Sequence, residues 1–303
     1  MNHTPCSRRQ FFRQSATLAG TALLAPTIPS APDAQTRRTA ADLVPLGNTG
    51  LRISRLGIGT GTNSGNVQRS LGHDGFNRLV RHAYDRGVTY LDTADSYKTH
   101  DWIRQAIQGL PREKFVIVTK VGGNPQTPLE TLDRFRKELD TDYLDVVLVH
   151  CTVTKNWSDE RQRIMDGLRE AQEKKILRAR GVSCHSLPAL EHSVASDWTQ
   201  VHLVRINPQG SHLDTSAETW NAKSNAEHLP PVVAQLKAMR AKGRGIIGMK
   251  LIGEGKFTQP EDREKSIRYV MQSGLCDSVT IGVKSTAEID EAIDRVNRAL
   301  AEA

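Results

Sequence analysis

A chain of 303 residues, 38% hydrophobic and 25% charged, can bury one large core, and an α/β barrel of about 250 residues would take up nearly all of it. The net charge of +7 excludes a nucleic-acid surface, because basic and acidic residues are interspersed, as in Asp133-Arg134-Phe135-Arg136-Lys137-Glu138, the pattern of a solvated helix face. Four cysteines, Cys6, Cys151, Cys184 and Cys276, make no disulfide framework.

At the N-terminus, Ser7-Arg8-Arg9-Gln10-Phe11-Phe12 precedes a mildly apolar stretch from Ser15 to Ala25 and then Pro- and Ala-rich residues to Ala34. A charged start, a short apolar middle and small residues before a cleavage point describe a twin-arginine export signal over residues 1–34. The apolar stretch falls short of the roughly 20 residues of a membrane span, so no stable membrane anchor is expected. The expectation is export to the periplasm by the twin-arginine translocation machinery. The alternative is a disordered basic tail on a cytoplasmic protein.

Residues 35–303 are expected to form one domain. Leu43 to Ile53 places two apolar arms around an Asn/Gly turn, Gly47-Asn48-Thr49-Gly50, which predicts a hairpin plugging the N-terminal end of a barrel. Beyond it, short apolar runs alternate with longer amphipathic stretches, the rhythm of βα units around a parallel sheet. Eight strands are predicted: Arg55–Thr60, Val88–Asp92, Phe115–Lys120, Asp145–His150, Arg178–Ser183, His202–Asn207, Gly245–Lys250 and Ser278–Gly282. Apolar spacings of three and four predict helices over Asp74–Arg86, Pro128–Leu139, Ser158–Glu173, Pro231–Lys242, Gln259–Gln272 and Thr286–Ala301. Eight units predict a closed (β/α)8 TIM barrel. The long aperiodic connection from Pro208 to about Leu229 is expected to be a partial lid or a surface insertion.

In such a barrel the C-terminal strand ends form the active site. Asp92, Lys120 and His150 each close a predicted strand, and Tyr97 lies five residues beyond Asp92. A phenol is a poor acid at neutral pH until a nearby ammonium stabilises its phenolate, and Lys120 is placed to be that ammonium. Asp92 would keep the lysine charged. His150 completes a set of donors converging on one oxygen, which suits a carbonyl that gains negative charge.

These residues resemble a known family. From about Leu46 to the last helix the chain is similar to aldo-keto reductases, on Leu46-Gly47-Asn48-Thr49-Gly50-Leu51, Leu91-Asp92-Thr93-Ala94-Asp95-Ser96-Tyr97, Thr119-Lys120, Asp142-Tyr143-Leu144-Asp145 leading to His150, and Gly181-Val182-Ser183. The resemblance implies reduction of an aldehyde or ketone to an alcohol, or the reverse, with NADP(H) or NAD(H) and no metal. Tyr97 would be the general acid, tuned by Lys120 and Asp92, with His150 orienting the carbonyl. The implied substrate is a small carbonyl or alcohol.

The resemblance also implies cofactor contacts. Gly59, within the first predicted strand, is implied as one contact, and Ser183 matches a serine that binds the nicotinamide carboxamide, although Cys184 replaces the usual Asn after it. The usual Gln of the sixth strand is replaced near Leu203 to Arg205, leaving Asn207 as a polar contact. Met249, Lys250 and Leu251 stand where an aromatic shelf is usual. Gly253 and Gly255 would let backbone approach the pyrophosphate, with Lys250 or Lys256 supplying charge. Lys284 and Ser285 open the last helix and would hold an adenosine 2′-phosphate, which favours NADP(H) over NAD(H). Ile289 and Ala292-Ile293 depart from the family's Arg and Glu-Asn there.

Trp102, Cys151, Trp157 and Trp220 are candidates for an apolar substrate pocket. Two rival readings remain. His150, Cys151, Cys184, His185 and His212 would make a metal-dependent barrel hydrolase if they converged. A barrel that bound nicotinamide with little turnover would be a redox-sensing regulator.

Overall fold

The computed structural model describes residues 38–303, and the export reading of residues 1–34 lies outside the described residues. Strands β1 (Leu43–Pro45) and β2 (Arg52–Ser54) pair antiparallel, Leu43 opposite Ser54 and Pro45 opposite Arg52. Their connecting turn is tied to the chain just before the seventh barrel strand, where Asn48 N–H donates to the Gly243 carbonyl at 2.8 Å.

Eight parallel strands follow: β3 (Leu56–Gly59), β4 (Tyr90–Asp92), β5 (Val116–Val121), β6 (Leu144–Thr152), β7 (Leu177–Cys184), β8 (Val201–Arg205), β9 (Gly245–Met249) and β10 (Ser278–Gly282). They pair in sequence order and β10 closes the barrel against β3. The β9–β10 ladder is the shortest, with Ser278 opposite Ile247 and Val279 opposite Gly248. No helix among the described residues is long and apolar enough to cross a membrane.

The helices are α1 (Asn66–Arg69), α2 (Gly72–Asp85), α3 (His100–Ile107), α4 (Pro128–Leu139), α5 (Trp157–Glu160), α6 (Gln162–Glu173), α7 (Leu187–Ala195), α8 (Leu229–Ala241), α9 (Pro260–Ser273) and α10 (Thr286–Ala301). Pro128 pre-sets the first turn of α4, and the Ser186 and Ser285 hydroxyls cap α7 and α10 by accepting from Ala189 and Glu288 N–H. The helix expected over Ser158–Glu173 is two helices, broken at Arg161, whose φ of −112° is not helical. α3 and α7 are additions to the predicted helices, each only about two turns long and so weakly periodic.

Strand residues alternate between two cores. One set points into the barrel, where Tyr90, Val116, Val118, Val146, Leu148, Ala179, Val201, Leu203, Ile247 and Met249 pack with Leu46, Leu51 and Ile53. The other faces the helices. This period of two carries Asp92, Lys120, His150 and Ser183 inward from the strands' upper ends.

His202 lies on the outward set of β8, wholly buried beside the Ser193 hydroxyl. Burial, with help from the charges of Arg244 and Lys242, lowers its pKa from 6.5 to about 3. The folded chain therefore refuses a proton that the unfolded chain accepts. The stability contribution is complete above about pH 6.5 and declines as pH falls toward 3. Urea midpoints measured between pH 7.5 and 5 should drop with pH, and less so in His202→Gln; an identical pH dependence in the variant would remove His202 as a cause.

Candidate active site

Asp92 and Lys120 form a buried ion pair at the ends of β4 and β5. The Lys120 ammonium lies 2.8 and 2.9 Å from the two Asp92 oxygens and 2.7 Å from the Thr93 carbonyl. These three acceptors use all three of its N–H donors. Its relation to Tyr97 is therefore through space, with the ammonium 5.0 Å from the ring centroid. Tyr90 donates its phenolic hydrogen to Asp92 at 3.3 Å.

Tyr97 ends a short 3-10 turn over Asp95–Tyr97, stopped by Lys98 at a left-handed φ of 56°. The Arg69 guanidinium donates to the Tyr97 carbonyl, and Arg134 holds Asp95 at 2.9 Å. The Tyr97 ring is half-buried, and its hydroxyl makes no hydrogen bond among the described residues. A Cβ on Gly61 would lie 2.4 and 2.5 Å from two ring carbons and 2.9 Å from the hydroxyl. Gly61→Ala should therefore displace the ring and cut turnover about tenfold or more while β3 and β4 stay paired; wild-type turnover would show that the ring can yield without cost.

His150 sits where β6 departs from regular pairing with β7, between Val149 and Thr152, and the next residue, Cys151, has φ 57°. Its ring stands perpendicular to Tyr97, centroids 5.6 Å apart. Burial, then the Lys120 charge, lowers the imidazole pKa to about 3, so the ring is neutral near pH 7 and carries one N–H. The expected lowering of the Tyr97 phenol does not occur in the structure. Burial, then the Asp92, Cys151 and Glu254 charges, raise its pKa above 10, because Lys120 is already neutralised by Asp92. Burial likewise raises Asp92 and lowers Lys120.

A cavity of about 570 Å³ opens beside Tyr97 and Asp92 and extends to Lys284 at the start of α10. That volume is within the roughly 300–1,000 Å³ of ligand sites. Lys120 and His150 back Tyr97 and are not on the cavity wall.

The model of the aldo/keto reductase family matches residues 55–302. The chain belongs to that family. Among relatives of this family member, Probable aldo-keto reductase 1 of Glycine max is 28% identical over 187 residues, 52% of each chain. Aldehyde reductase YPR1 of Saccharomyces cerevisiae is 32% identical over 123 residues, 40% of this chain and 36% of the yeast protein. The chain thus spans about half the length of the first and about a third of the second. A putative aldo-keto reductase structure from Pseudomonas aeruginosa superposes with a TM-score of 0.69 at 21% identity, covering 87% of this chain and 98% of that one, a likeness of fold.

Of the sequence-predicted cofactor residues of this aldo/keto reductase, the structure brings Gly59, Ser183, Lys250, Leu251, Gly255 and Lys284 to the cavity wall, together with Met249. Asn207 is not on it: its amide donates to the Ser211 and Lys250 carbonyls and accepts from Ser211 N–H, so it is spent on holding the chain after β8. Ser285 is likewise off the wall and caps α10, while Gly253 is buried behind it. The Gly253 and Gly255 N–H groups donate to Lys250 and Ile252 carbonyls, so this turn closes on itself. Lys250 is paired with Glu254 at 2.8 Å.

The aromatic pocket expectation is corrected too. Trp157 is packed between helices against His192 and Trp198, and Trp102 stacks on His73 in the outer layer. Trp220 is 61% exposed. Cys184 faces outward toward Thr152 and the Ala189 carbonyl while His185 faces the cavity, and no three His, Cys, Asp or Glu side chains among the described residues are grouped to hold a metal ion.

Sequence reasoning missed the wall residues Glu254, Arg263, Glu288, Glu291 and Arg295, and named His185 only as a metal ligand. His185 carried a usable signal, since it is two residues beyond Ser183 and so continues the inward face of β7. The charged residues of α9 and α10 carried none, because a helix-face ion pair such as Glu291–Arg295, four residues apart on α10 and 2.9 Å, has the same spacing wherever it points.

Proposed function

We propose that this protein is a nicotinamide-dependent oxidoreductase that reduces small aldehydes or ketones to alcohols, or catalyses the reverse, with Tyr97 as the general acid. The observation that carries the proposal is Tyr97, half-buried at the cavity wall, its hydroxyl without a hydrogen-bond partner among the described residues, backed by the Asp92–Lys120 pair and by a neutral His150. A carbonyl oxygen beside Tyr97 would accept the phenolic hydrogen, and His150, its ring perpendicular to Tyr97 at 5.6 Å, would help to orient it. A dinucleotide bound there would supply the hydride. Lys120, whose hydrogen bonds go to Asp92 and Thr93, would steady the phenolate through space once the proton has left.

The cavity's length, from Tyr97 to the start of α10, suits an extended dinucleotide, with Ser183 and Met249 at the ring end and Lys284 at the adenosine end. Lys284 supports NADP(H) over NAD(H). The relative named aldehyde reductase supports small aldehydes as the substrate class. The test is fluorescence titration with NADPH and NADH followed by an aldehyde panel. Saturable binding and oxidation of the nicotinamide are expected, and failure of both cofactors to bind would overturn the proposal. Export through the twin-arginine route is proposed on Ser7-Arg8-Arg9 and the small residues to Ala34, and loss of periplasmic protein in a translocase-deficient host tests it.

A further inference from the structure

The ends of β7 and β8 hold a chain of polar contacts that the carbonyl chemistry does not use. Arg205 follows Leu203 by two residues on β8, so its side chain enters the barrel, where it is buried. Its guanidinium donates to His185 Nδ1 and to the Trp220 carbonyl, the latter at 2.8 Å. Its other amino group lies 3.6 Å from the carboxylate of Asp214, which is wholly buried and has no hydrogen-bond partner on either oxygen among the described residues.

An arginine only donates. His185 Nδ1 must therefore accept, and the single hydrogen of the neutral ring resides on Nε2. That nitrogen lies 3.2 Å from Ser183 Oγ, so the ring donates and the serine oxygen accepts. The serine's own hydrogen is left to point elsewhere, and Ser183 and His185 both line the cavity. Next to them the wall is apolar: Leu203 and Met249 line it, while the Cys184 thiol faces the helices. The two carboxylates that also line the cavity are already engaged, Asp92 by Lys120 and Tyr90 and Glu254 by Lys250, so around Ser183 the wall offers a directed donor and no unengaged side-chain acceptor among the described residues.

Resting on the nicotinamide reading above, we propose that Arg205 and His185 are positioning residues that fix Ser183 as a hydrogen-bond donor to the carbonyl oxygen of the ring's carboxamide, and that the site does not recognise the carboxamide NH2. Asp214 and the Trp220 carbonyl hold the guanidinium in place. A wall carrying a side-chain amide would read both halves of the group. This wall reads one.

The test compares binding, by calorimetry, of the preferred oxidised cofactor, its 3-acetylpyridine analogue, in which a methyl replaces the NH2, and the matching ADP-ribose fragment that lacks the ring. In the wild-type protein the analogue should bind within about threefold of the parent, and a loss of tenfold or more would overturn the proposal. His185→Phe should weaken parent and analogue alike by about five- to tenfold, the worth of one hydrogen bond, and leave the fragment unchanged. Arg205→Lys keeps a cation for Asp214 but cannot bridge His185 and Trp220, and should give the same pattern. An equal loss for the fragment in both variants would mean a merely structural role and sink the idea. If neither cofactor nor fragment binds the wild type, the nicotinamide reading itself fails and takes this one with it; fragment binding without any gain from the ring overturns only the present proposal.

Discussion

Tyr97→Phe leaves dinucleotide affinity within about threefold of the parent and lowers kcat/KM for aldehydes by about a hundred- to ten-thousand-fold, the usual worth of a positioned general acid. The separation of the two effects follows from geometry. The ring, packed against Gly61 and beneath His150, keeps its shape as phenylalanine, so the cavity is unaltered. Only the hydroxyl goes, and since it has no partner to leave behind, stability should change by no more than about 0.5 kcal/mol. Turnover within a factor of two or so of the parent, checked by steady-state kinetics beside a binding titration, would remove Tyr97 as the acid.

Lys120→Met has a different signature, because it damages fold and chemistry together. It leaves the Asp92 carboxylate buried without its cation, and breaking such a pair costs about 3–5 kcal/mol. Carbonyl reduction should be lost as well. The double variant Asp92→Asn, Lys120→Met removes the stranded charge and should recover much of the stability without the activity. A single variant as stable as the parent in urea would mean that Asp92 takes up a proton at little cost, and the pair would then matter for chemistry alone.

The barrel was legible because its strands announce themselves twice, as short apolar runs and as runs that end in a polar residue. β10 and the helices over Pro128–Leu139 and Thr286–Ala301 occur at their predicted limits, since Pro128, Ser285 and the turn before Ser278 are local signals that act within a few residues. Tyr97, Asp92, Lys120 and His150 were legible as a set through their order on successive strand ends. The direction of the Tyr97 shift was not, because it is set first by how deeply the folded barrel buries the ring and then by the Asp92 charge beside it. Asn207 and Ser285 misled for a related reason: a polar side chain at a barrel rim serves either a ligand or its own backbone, and spacing does not distinguish these uses. Arg205 and Asp214 become partners only when the segment after β8 folds back, a contact that no periodicity encodes.

The two-pair ladder between β9 and β10 joins the barrel where the cavity wall crosses from Leu251 and Gly255 to Gly282 and Lys284. A molecule lying in that cavity is also a brace across the shortest join. Local opening should begin there, so an empty barrel would shed its last two units to proteases sooner than a filled one. The lifetime of the protein thus becomes a record of whether it is loaded.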